Sequence, residues 1–368
     1  MAYRLGFVME QTLGHITHAD NFRQWIAKDP DVIPTWIPVA FDVPDRWDRL
    51  PFIRRNWTVK SSLRARAQLY TVLRKERLDG LFFHTQVTAL FAQRLMTRIP
   101  SVVSMDATPL NFDSIGQPYA HNPSEYSYVE ALKNALTRRT FACAKKVITW
   151  HEWGKRSLVR DYHVDASKVV VVPPGIDLER WNFPRQATTG SAPLRLLFVG
   201  GDFRRKGGEI LLAAFRQSLA NVCELDIVTR EEVDAAGLPN VRVHHGLSAN
   251  TPKLMELYAK ADLFIFPTYG DTLPIVVMEA MASGLPVITT TIGAIAEEVE
   301  DGVTGLLVPP GDTDRLAEAA LRLVRDPDLR LKMGAAGRST ADRKFNGSRN
   351  YPSVLSICKG CVDAGPLR

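Results

Sequence analysis

Short apolar runs alternate along the chain with stretches in which apolar residues recur every three or four positions. In the first half the predicted strands are Arg4–Met9, Gly80–Phe83, Ser101–Ser104, Val147–Thr149 and Val169–Val172. Runs that are apolar throughout are typical of parallel strands buried on both faces of a sheet. Their alternation with helical stretches indicates βαβ units.

The same alternation restarts after a polar, turn-rich segment, Asn182–Pro193, which we interpret as a domain junction. The strands predicted beyond it are Leu194–Val199, Glu224–Val228, Val241–His244, Leu263–Phe266 and Pro286–Thr290, and the helices are Gly208–Leu219, Pro274–Ala282 and Thr313–Arg325. The simplest architecture is an α/β protein with two Rossmann-like domains that face a central cleft. Ligands of such sheets bind beyond the carboxyl ends of the strands, so the residues that follow each strand are the candidates for chemistry.

Composition agrees with this architecture. The 368 residues suffice for two domains, and the apolar fraction of 45% is that of a globular protein with a sizeable core. No run approaches the length of a membrane-spanning helix. The first residues predict a strand and lack the apolar run of a signal peptide, so we expect a cytoplasmic protein. Cys358 and Cys361 form an isolated CxxC pair, for which incidental reduced thiols are favoured over a metal or redox role.

Positive charge is concentrated in the first half. Residues 1–180 hold 25 Lys and Arg against 18 Asp and Glu, whereas the remainder holds 21 against 22. The segment Arg46–Arg77 is strongly basic and includes the helix predicted over Thr58–Lys75. The apolar face of that helix is predicted to consist of Val59, Leu63, Tyr70 and Leu73.

Basic and aromatic residues together suit peripheral contact with an anionic membrane on its inner face. They suit an anionic acceptor equally well, and a solvated helix face would also explain them. Because the charge is local and no recognisable nucleic-acid module is present, nucleic acid is not an expected partner.

The segment that follows the strand Leu194–Val199 reads GGDFRRKGG, Gly200 to Gly208. Glycines let the backbone approach a ligand, and the start of the following helix offers unpaired N–H groups. Arg204, Arg205 and Lys206 add positive charge. These features predict a diphosphate site, with a surface turn of solvated basic side chains as the alternative.

The segment TYGDTLPIVVMEAMASG, Thr268 to Gly284, places two carboxylates in apolar surroundings. Asp271 or Thr272 is positioned to cap the helix that follows, with Pro274 in its first turn. Glu279 lies within that helix, where a buried carboxylate is costly unless it is paired. Either the hydroxyls of a ribose or a buried arginine would satisfy it.

Four motifs, in this order, resemble those of one family. They are VVPPGID at Val171–Asp177, the strand–G…RKG–helix segment, the D-x7-E segment followed by AMASGLPVI, and GVTGLLVPPGD at Gly302–Asp312. Together they are similar to the retaining, nucleotide-sugar-dependent glycosyltransferases of the GT-B fold, of the family 4 or group 1 type, over essentially the whole chain. The resemblance implies an acceptor-binding domain at residues 1–177, a nucleotide-sugar-binding domain at 178–344, and a final segment, 345–368, that crosses back to the first domain.

The resemblance also implies roles for residues around the D-x7-E segment. Glu279 matches the glutamate that binds the donor ribose, and Asp271 matches one that lies beside the hydroxyls of the donor sugar. Thr272 and Leu273 match residues whose amides touch that sugar. The following Pro274 has no N–H, so one such contact is lost.

The remaining implied contacts of the second domain concern the diphosphate and the base. Arg205 and Lys206 match the basic pair that holds the diphosphate. Many relatives carry an arginine directly after the strand glycine, where this chain has Gly201, and Arg204 is expected to compensate. The base is expected to be bordered by the segment from His244 that includes Gly246 and Leu247.

In the first domain, Gly14 matches a glycine loop that approaches the diphosphate. Asp106 stands where many relatives have a histidine near the reacting sugar, so it is a candidate for catalysis or for binding that sugar. His84 and His151 also follow strands, so they either line the cleft or belong to the core. His15 and His18 flank the glycine loop and are candidates to meet the acceptor.

The expected activity is transfer of a hexosyl unit from a UDP- or GDP-linked sugar to a hydroxyl of a glycan, a lipid-linked sugar or another small molecule. The resemblance implies retention of configuration by front-face attack, with Arg205 and Lys206 stabilising the departing phosphate. The DPD sequences at Asp29–Asp31 and Asp326–Asp328 are ordinary turn sequences, so no essential metal or other cofactor is expected. The alternatives are a catalytically weak sugar-nucleotide-binding module and a GT-B-type phosphorylase or epimerase.

Overall fold

The computed structural model describes residues 2–40, 56–119, 127–186, 188 and 192–367. These residues form two compact units. The first unit contains residues 2–40, 56–112, 127–175 and 347–367, and the second contains residues 113–119 and the described part of 176–346. The basic residues 46–55, with Trp47 and Phe52, lie outside the described part of the chain.

The first unit is built on a six-stranded parallel sheet with strand order β2-β1-β3-β4-β5-β6. Its strands are β1 Tyr3–Gln11, β2 Val32–Ala40, β3 Gly80–His84, β4 Ser101–Met105, β5 Lys146–Thr149 and β6 Val169–Val171. Its helices are α1 Leu13–Ile26, α2 Trp57–Leu73, α3 Gln86–Ala89, α4 Gln93–Met96, α6 Ser127–Cys143, α7 Glu152–Arg160 and α14 Gly347–Asp363, and α5 Pro109–Ile115 continues from it into the second unit. The five strands predicted for this half are confirmed.

Sequence patterning missed β2. The run VIPTWIPVA contains Pro34 and Pro38, which cannot donate to a strand ladder and therefore argue against a central strand. In the sheet β2 pairs with β1 alone among the strands described, so it is an edge strand, where proline is tolerated.

The side chains of consecutive strand residues pack alternately into two apolar layers, one on each face of the sheet. Phe82 packs with helices α1 and α14, whereas Phe83 packs on the opposite side with residues of α2 and α6. Val102 and Val103 divide in the same way. Because side chains alternate along a strand, burial on both faces explains why these strands are apolar throughout.

The buried face of α2 differs from the predicted one. Tyr70 is exposed, and the buried positions are Ser61, Ser62, Ala65 and Leu69. Small side chains allow the helix to lie close to its neighbour, and the Ser62 hydroxyl donates to the Val87 carbonyl oxygen. Of the predicted face, Leu73 packs against the core whereas Tyr70 is exposed, so periodicity counted on large apolar residues located the buried face only in part.

The C-terminal helix α14 belongs to the first unit. Tyr351 is buried there, and its hydroxyl donates to the carbonyl oxygen of Gly175 at 2.7 Å. Cys358 and Cys361 are buried in the same apolar layer, and both thiols are free. Burial raises the pKa of both thiols, which fits packing residues.

The second unit has a six-stranded parallel sheet of order β12-β11-β10-β7-β8-β9. Its strands are β7 Leu194–Val199, β8 Cys223–Val228, β9 Val241–His244, β10 Leu263–Phe266, β11 Val287–Thr290 and β12 Gly305–Val308, and its helices are α8 Gly208–Ala214, α9 Pro252–Lys260, α10 Ile275–Ala282, α11 Ile295–Glu298, α12 Thr313–Arg325 and α13 Pro327–Phe345. The predicted strands are again confirmed, whereas β12 was missed. Among the helices that the structure describes, none combines the length and the apolar character needed to span a membrane.

Helix α10 ends as its sequence predicts. Gly284 adopts the left-handed conformation (φ +70°) that terminates a helix. The guanidinium groups of Arg185 and Arg338 donate to the carbonyl oxygens of Gly284 and Ala282. Cationic donors at this end satisfy carbonyl groups that the helix leaves free, and so fix the helix that carries Glu279.

Candidate active site

The strand order reverses once in each sheet, between β1 and β3 in the first and between β7 and β10 in the second. Ligands of open parallel sheets bind at such a reversal, beyond the carboxyl ends of the strands. Arg204, Arg205 and Lys206 follow β7, and Asp271 follows β10, so these predicted site residues meet at the reversal of the second sheet. Gly14 follows β1 and occupies the equivalent place in the first unit.

The loop after β7 packs tightly on the loop after β10. Gly207 has a φ of +80°, and a Cβ atom there would lie 2.0 Å from the carbonyl oxygen of Pro267. Tyr269 N–H donates to the carbonyl oxygen of Arg205 at 2.9 Å. Glycine is therefore required at 207 to bring the two loops together.

This packing joins Lys206 to Asp271. The Lys206 ammonium group donates to Asp271 Oδ2, and both side chains are largely buried. Burial lowers the pKa of Lys206, although the Asp271 charge opposes that shift. A cation and a carboxylate thus stand side by side at the reversal point.

Arg205 is held by internal contacts of the same two loops. Its Nε donates to Asp202 Oδ2 at 2.7 Å, and its Nη1 donates to the carbonyl oxygen of Gly270 at 2.9 Å. The ring of Tyr119 lies 4.1 Å from the guanidinium carbon, and the Tyr119 hydroxyl also donates to the Gly270 carbonyl oxygen. Arg205 and Tyr119 therefore fix the loop that presents Asp271.

The sequence suggested Asp271 as a cap of the following helix, but the structure shows that it does not cap that helix. Helix α10 begins at Ile275 with Pro274 at the N-cap position, and no side chain caps it. The reason is the extended backbone of Pro274, which separates the carboxylate from the helix start and leaves it to pair with Lys206. Thr272 and Leu273 are buried beside it, and Ala294 N–H donates to the Thr272 carbonyl oxygen at 3.1 Å.

Glu279 is buried, with 2% of its surface exposed, and a tyrosine hydroxyl contacts its carboxyl group. The Tyr258 hydroxyl lies 3.2 Å from Oε2 of Glu279 and 3.3 Å from the carbonyl oxygen of Val276. Burial raises the pKa of Glu279 to about 8, even though the tyrosine hydrogen bond lowers it. The carboxyl group is therefore protonated near neutral pH.

Arg230 is a candidate that the sequence reasoning missed. It stands two residues beyond the end of β8, and its guanidinium group lies against Gly201: a Cβ atom at 201 would be 2.8 Å from Arg230 Nε. A positive group thus occupies the space beside the strand glycine that a side chain at 201 would need. Inspection of the residues after β8, by the rule applied to β7 and β10, would have found it.

Glu298 was also missed. It is 1% exposed, and neither carboxylate oxygen has a hydrogen-bond partner among the described residues. Burial, and then the Asp271 charge, raise its pKa well above the usual value. Gly293, in the loop before the helix that carries Glu298, packs on the Asp271 carbonyl oxygen, so this buried carboxyl group belongs to a segment that lies against the Asp271 loop.

The predicted base-bordering segment follows β9. His244 Nε2 lies 2.7 Å from Asp226 Oδ1. Gly246 is exposed with a φ of +71°, and Leu247 is half-buried. The segment thus presents an accessible turn next to the end of β8.

In the first unit, His15 joins the ends of β1 and β4. Its Nδ1 lies 3.0 Å from Glu10 Oε1, and its Nε2 lies 3.3 Å from Asp106 Oδ2. Burial alone would lower the pKa of His15, but the charges of Glu10 and Asp106 raise it well above 6.5. The same pairing lowers the pKa of Asp106 against the effect of burial. Gly14 beside them is exposed, and a Cβ atom there would meet nothing within 4 Å.

The other three histidines are buried, which fits the core alternative for His84 and His151 and does not fit the expected contact of His18 with an acceptor. His18 and His84 have ring nitrogens without hydrogen-bond partners among the residues described. His151 Nδ1 accepts from Gly154 N–H at 2.8 Å, so its Nε2 carries the hydrogen that is donated to the Asp106 carbonyl oxygen. Within the described chain, no three His, Cys, Asp or Glu side chains are arranged to hold a metal ion.

Two glycosyltransferase families match parts of the chain. Residues 32–180 match Glycosyltransferase Family 4, and residues 193–326 match Glycosyl transferases group 1. Alpha-maltose-1-phosphate synthase of Mycolicibacterium smegmatis is 31% identical over 327 residues, which cover 79% of this chain and 81% of that protein. The chain belongs to the family 4, group 1 glycosyltransferases.

The D-inositol 3-phosphate glycosyltransferase of Arthrobacter sp. (strain FB24) is 31% identical over 226 residues, 56% of this chain and 53% of that protein. The chain thus spans about half the length of curated relatives of this second kind.

Solved structures show the GT-B fold. Sucrose-phosphate synthase from Thermosynechococcus elongatus superposes with a TM-score of 0.78 at 17% identity, covering 99% of this chain and 100% of that one. Anabaena Alr3699/HepE, in complex with UDP and glucose, has a TM-score of 0.67 at 16% identity, covering 97% and 100%.

Proposed function

We propose that this chain is a glycosyltransferase that moves a hexosyl unit from a UDP- or GDP-linked sugar to an acceptor hydroxyl with retention of configuration. The Lys206–Asp271 pair at the reversal of the second sheet carries the proposal. The pair offers a cation for the diphosphate and a carboxylate for the sugar hydroxyls, and a hydrogen bond joins the two groups.

The donor would be held by residues that leave the ends of neighbouring strands. Glu279 accepts from the ribose hydroxyls, and Thr272 and Leu273 lie along the sugar. Around the diphosphate the basic candidates are Arg204, Arg205, Lys206 and Arg230, with Gly14 on the first unit. Gly246 and Leu247 border the base. That HepE was solved with UDP and glucose supports this class of donor.

The chemistry would be a front-face displacement. The bond from the anomeric carbon to the diphosphate oxygen breaks, the acceptor oxygen attacks from the same face, and its proton passes to the departing phosphate. Negative charge grows on that phosphate, and removal of one preorganised contact to it would cost about 2.7–4 kcal/mol. Lys206 supplies such a contact, so we propose that no metal is essential. Asp106 would bind a sugar hydroxyl and not act as a covalent nucleophile.

For the acceptor we propose a small phosphorylated sugar or polyol. The names of two relatives and one structural neighbour contain a phosphorylated sugar or polyol: inositol 3-phosphate, maltose 1-phosphate and sucrose phosphate. The excess of basic residues in the first half of the sequence favours an anionic acceptor on physical grounds. Peripheral membrane contact through the basic segment and a cytoplasmic location both stay predictions.

The test combines UDP-glucose or GDP-mannose with matched acceptors, with and without a chelator. Inositol phosphate, glucose 1-phosphate and fructose 6-phosphate are compared with the three unphosphorylated compounds. Transfer to a phosphorylated member, with the donor's anomeric configuration kept in the NMR spectrum of the product, is the expected result. Equal use of both members of each pair contradicts the acceptor class, and inversion contradicts the mechanism.

A catalytically weak binding module is the second candidate, because Asp271, Pro274, Gly201 and Asp106 all depart from the pattern that the sequence resembles. Saturable donor binding without transfer or slow donor hydrolysis, over a broad panel of acceptors, would favour it. Failure of every sugar nucleotide to bind would exclude both candidates.

A further inference from the structure

The carboxylate of Glu10 collects three side chains at the end of β1. Its Oε1 accepts from the Thr12 hydroxyl at 2.6 Å and lies 3.0 Å from His15 Nδ1. Its Oε2 accepts from the Thr85 hydroxyl, which belongs to the residue after β3. Glu10 itself is 4% exposed. The reversal point of the first sheet is therefore closed by a fully engaged, buried carboxylate.

Each of these three contacts carries a local cost. Thr85 has a φ of 55°, a left-handed conformation that a β-branched residue rarely adopts. Thr12 is the N-cap of α1 but makes no capping hydrogen bond, because its hydroxyl is committed to Glu10. His15 lies in the first turn of α1, where the helix dipole disfavours a positive charge. Unfavourable arrangements that converge on one group point to a functional constraint.

The far side of His15 faces Asp106, and 21% of that aspartate side chain is exposed. The chain Glu10–His15–Asp106 thus runs from a closed end in the sheet to an accessible carboxylate beyond β4. His151 fixes the Asp106 backbone from the β5 side through its hydrogen bond to the carbonyl oxygen. Asp106 is held at both its main chain and its side chain.

The titratable groups that face His15 come from every element packed around it. They are Glu10 of β1, His18 of α1, His84 of β3 and Asp106 after β4, and His151 after β5 faces Asp106. Burial lowers the pKa of His18 to about 3 and that of His84 well below 6.5. With His18 and His84 neutral, one imidazolium is balanced by two carboxylates.

We propose that His15 is a positioning residue, charged between Glu10 and Asp106, that orients the Asp106 carboxylate to accept a hydrogen bond from a sugar hydroxyl. This inference rests on the proposed glycosyl transfer. The hydroxyl belongs either to the transferred sugar or to the acceptor. Substitution of His15 would raise KM for the donor in the first case and KM for the acceptor in the second. Glu10 serves as the buried counter-charge that keeps His15 protonated.

The first test does not use activity. The full chain, labelled with ¹⁵N at histidine, is titrated by NMR, and His15 is assigned as the signal lost in His15→Gln. The expected result is a doubly protonated ring across neutral pH that loses its proton at lower pH in Glu10→Gln. A wild-type His15 that titrates at or below its ordinary value overturns the proposal.

The second test is the pH dependence of transfer. Without the His15 charge, burial raises the pKa of Asp106, so the acid limb of kcat/KM should move to higher pH in His15→Gln. The value of kcat/KM should fall by about 10- to 100-fold in His15→Gln, as expected for the loss of a hydrogen bond to a charged group. Asp106→Asn should lose the acid limb. An unmoved limb in a folded His15→Gln protein overturns the positioning role.

The source of the hydroxyl is read from the kinetic constants of His15→Gln. A rise in KM for the donor in slow donor hydrolysis assigns the hydroxyl to the transferred sugar. A rise in KM for the acceptor alone assigns it to the acceptor. If the NMR result holds but no sugar nucleotide binds or reacts, the transferase proposal fails. The positioning role depends on that proposal and fails with it. The finding of a protonated His15 between Glu10 and Asp106 would still stand.

Discussion

The Tyr258 hydroxyl lies 3.2 Å from Oε2 of Glu279 in the buried part of the second unit. Burial raises the pKa of that carboxyl group to about 8, so near neutral pH it is protonated. Two ribose hydroxyls would instead donate to the carboxylate, and a carboxylate that accepts hydrogen bonds has a lowered pKa. Nucleotide binding should therefore displace a proton from Glu279.

The affinity for the nucleotide should rise with pH and level off above about 8. Below that value, each pH unit should weaken binding by up to about tenfold, which is the free-energy equivalent of one pKa unit. Calorimetry in two buffers with different ionisation enthalpies would measure the released proton directly. Glu279→Gln should bind more weakly and release none, whereas buffer-independent heats with the natural chain would contradict the prediction.

The contact of Arg230 with Gly201 predicts a compensating pair of substitutions. Arg230→Ala should weaken donor binding by about 10- to 100-fold, as expected for loss of a charged hydrogen bond. Gly201→Arg alone should also weaken it, because two guanidinium groups would compete for one place. The double variant should recover binding, since it returns one guanidinium group to that space.

Donor affinity measured by calorimetry distinguishes this from a general charge effect. Arg216→Ala, at an exposed position away from both loops, is the control and should bind as the natural chain does. Losses in the double variant that equal the sum of the two single losses would argue against a shared role for residues 201 and 230.

The fit of Gly207 against Pro267 predicts a large loss of stability in Gly207→Ala. The substitution combines a left-handed backbone with overlap on a carbonyl oxygen, and we expect at least about 3 kcal/mol in chemical denaturation. Gly237→Ala shares the positive φ but meets nothing within 4 Å, so it should lose about 1–2 kcal/mol. Equal losses would show that the packing of the two loops is not what the glycine serves.

The buried His18 predicts sensitivity to acid. Its pKa is lowered to about 3 by burial, so the unfolded chain binds a proton that the folded chain excludes. Stability is therefore lost as the pH falls from about 6.5 towards 3. At pH 5 this amounts to about 2 kcal/mol, at 1.36 kcal/mol per pKa unit.

His18→Phe keeps the ring contact with Phe22 and removes that loss. Urea unfolding at about pH 8 and pH 5 should show a smaller difference in the variant than in the natural chain, by about the same 2 kcal/mol. Exposed His163→Gln provides the control and should behave as the natural chain. An unchanged difference in His18→Phe would place the acid sensitivity elsewhere.

The sequence predicted most strands of both sheets because a strand buried on two faces is apolar throughout, as Leu263–Phe266 is. Features that depend on contacts between distant parts of the chain have no such local pattern. The edge position of β2 made Pro34 and Pro38 acceptable, and only the sheet order shows it. The close approach of α2 to its neighbour explains why small serines, and not Tyr70, form its buried face.

The candidate site divides in the same way. Lys206 and Asp271 could be singled out because each follows a strand within a recognisable motif. Their direct pairing, which replaces the expected helix cap, depends on Gly207 and the two loops. The link from Glu10 to Asp106 crosses nearly a hundred positions of sequence, so no local pattern could have predicted it.

Tyr119 lies far upstream in the sequence of the loops that it contacts in the second unit. Residues 113–119 pack with the second unit, where Tyr119 covers Arg205 and bonds to the Gly270 carbonyl oxygen. A gene fragment that starts at the predicted junction would encode the sheet and every basic candidate of that unit. It would lack Tyr119, so Arg205 would lose its contact with the Tyr119 ring. A fragment designed to contain the whole second unit would therefore also have to include the upstream segment with residues 113–119.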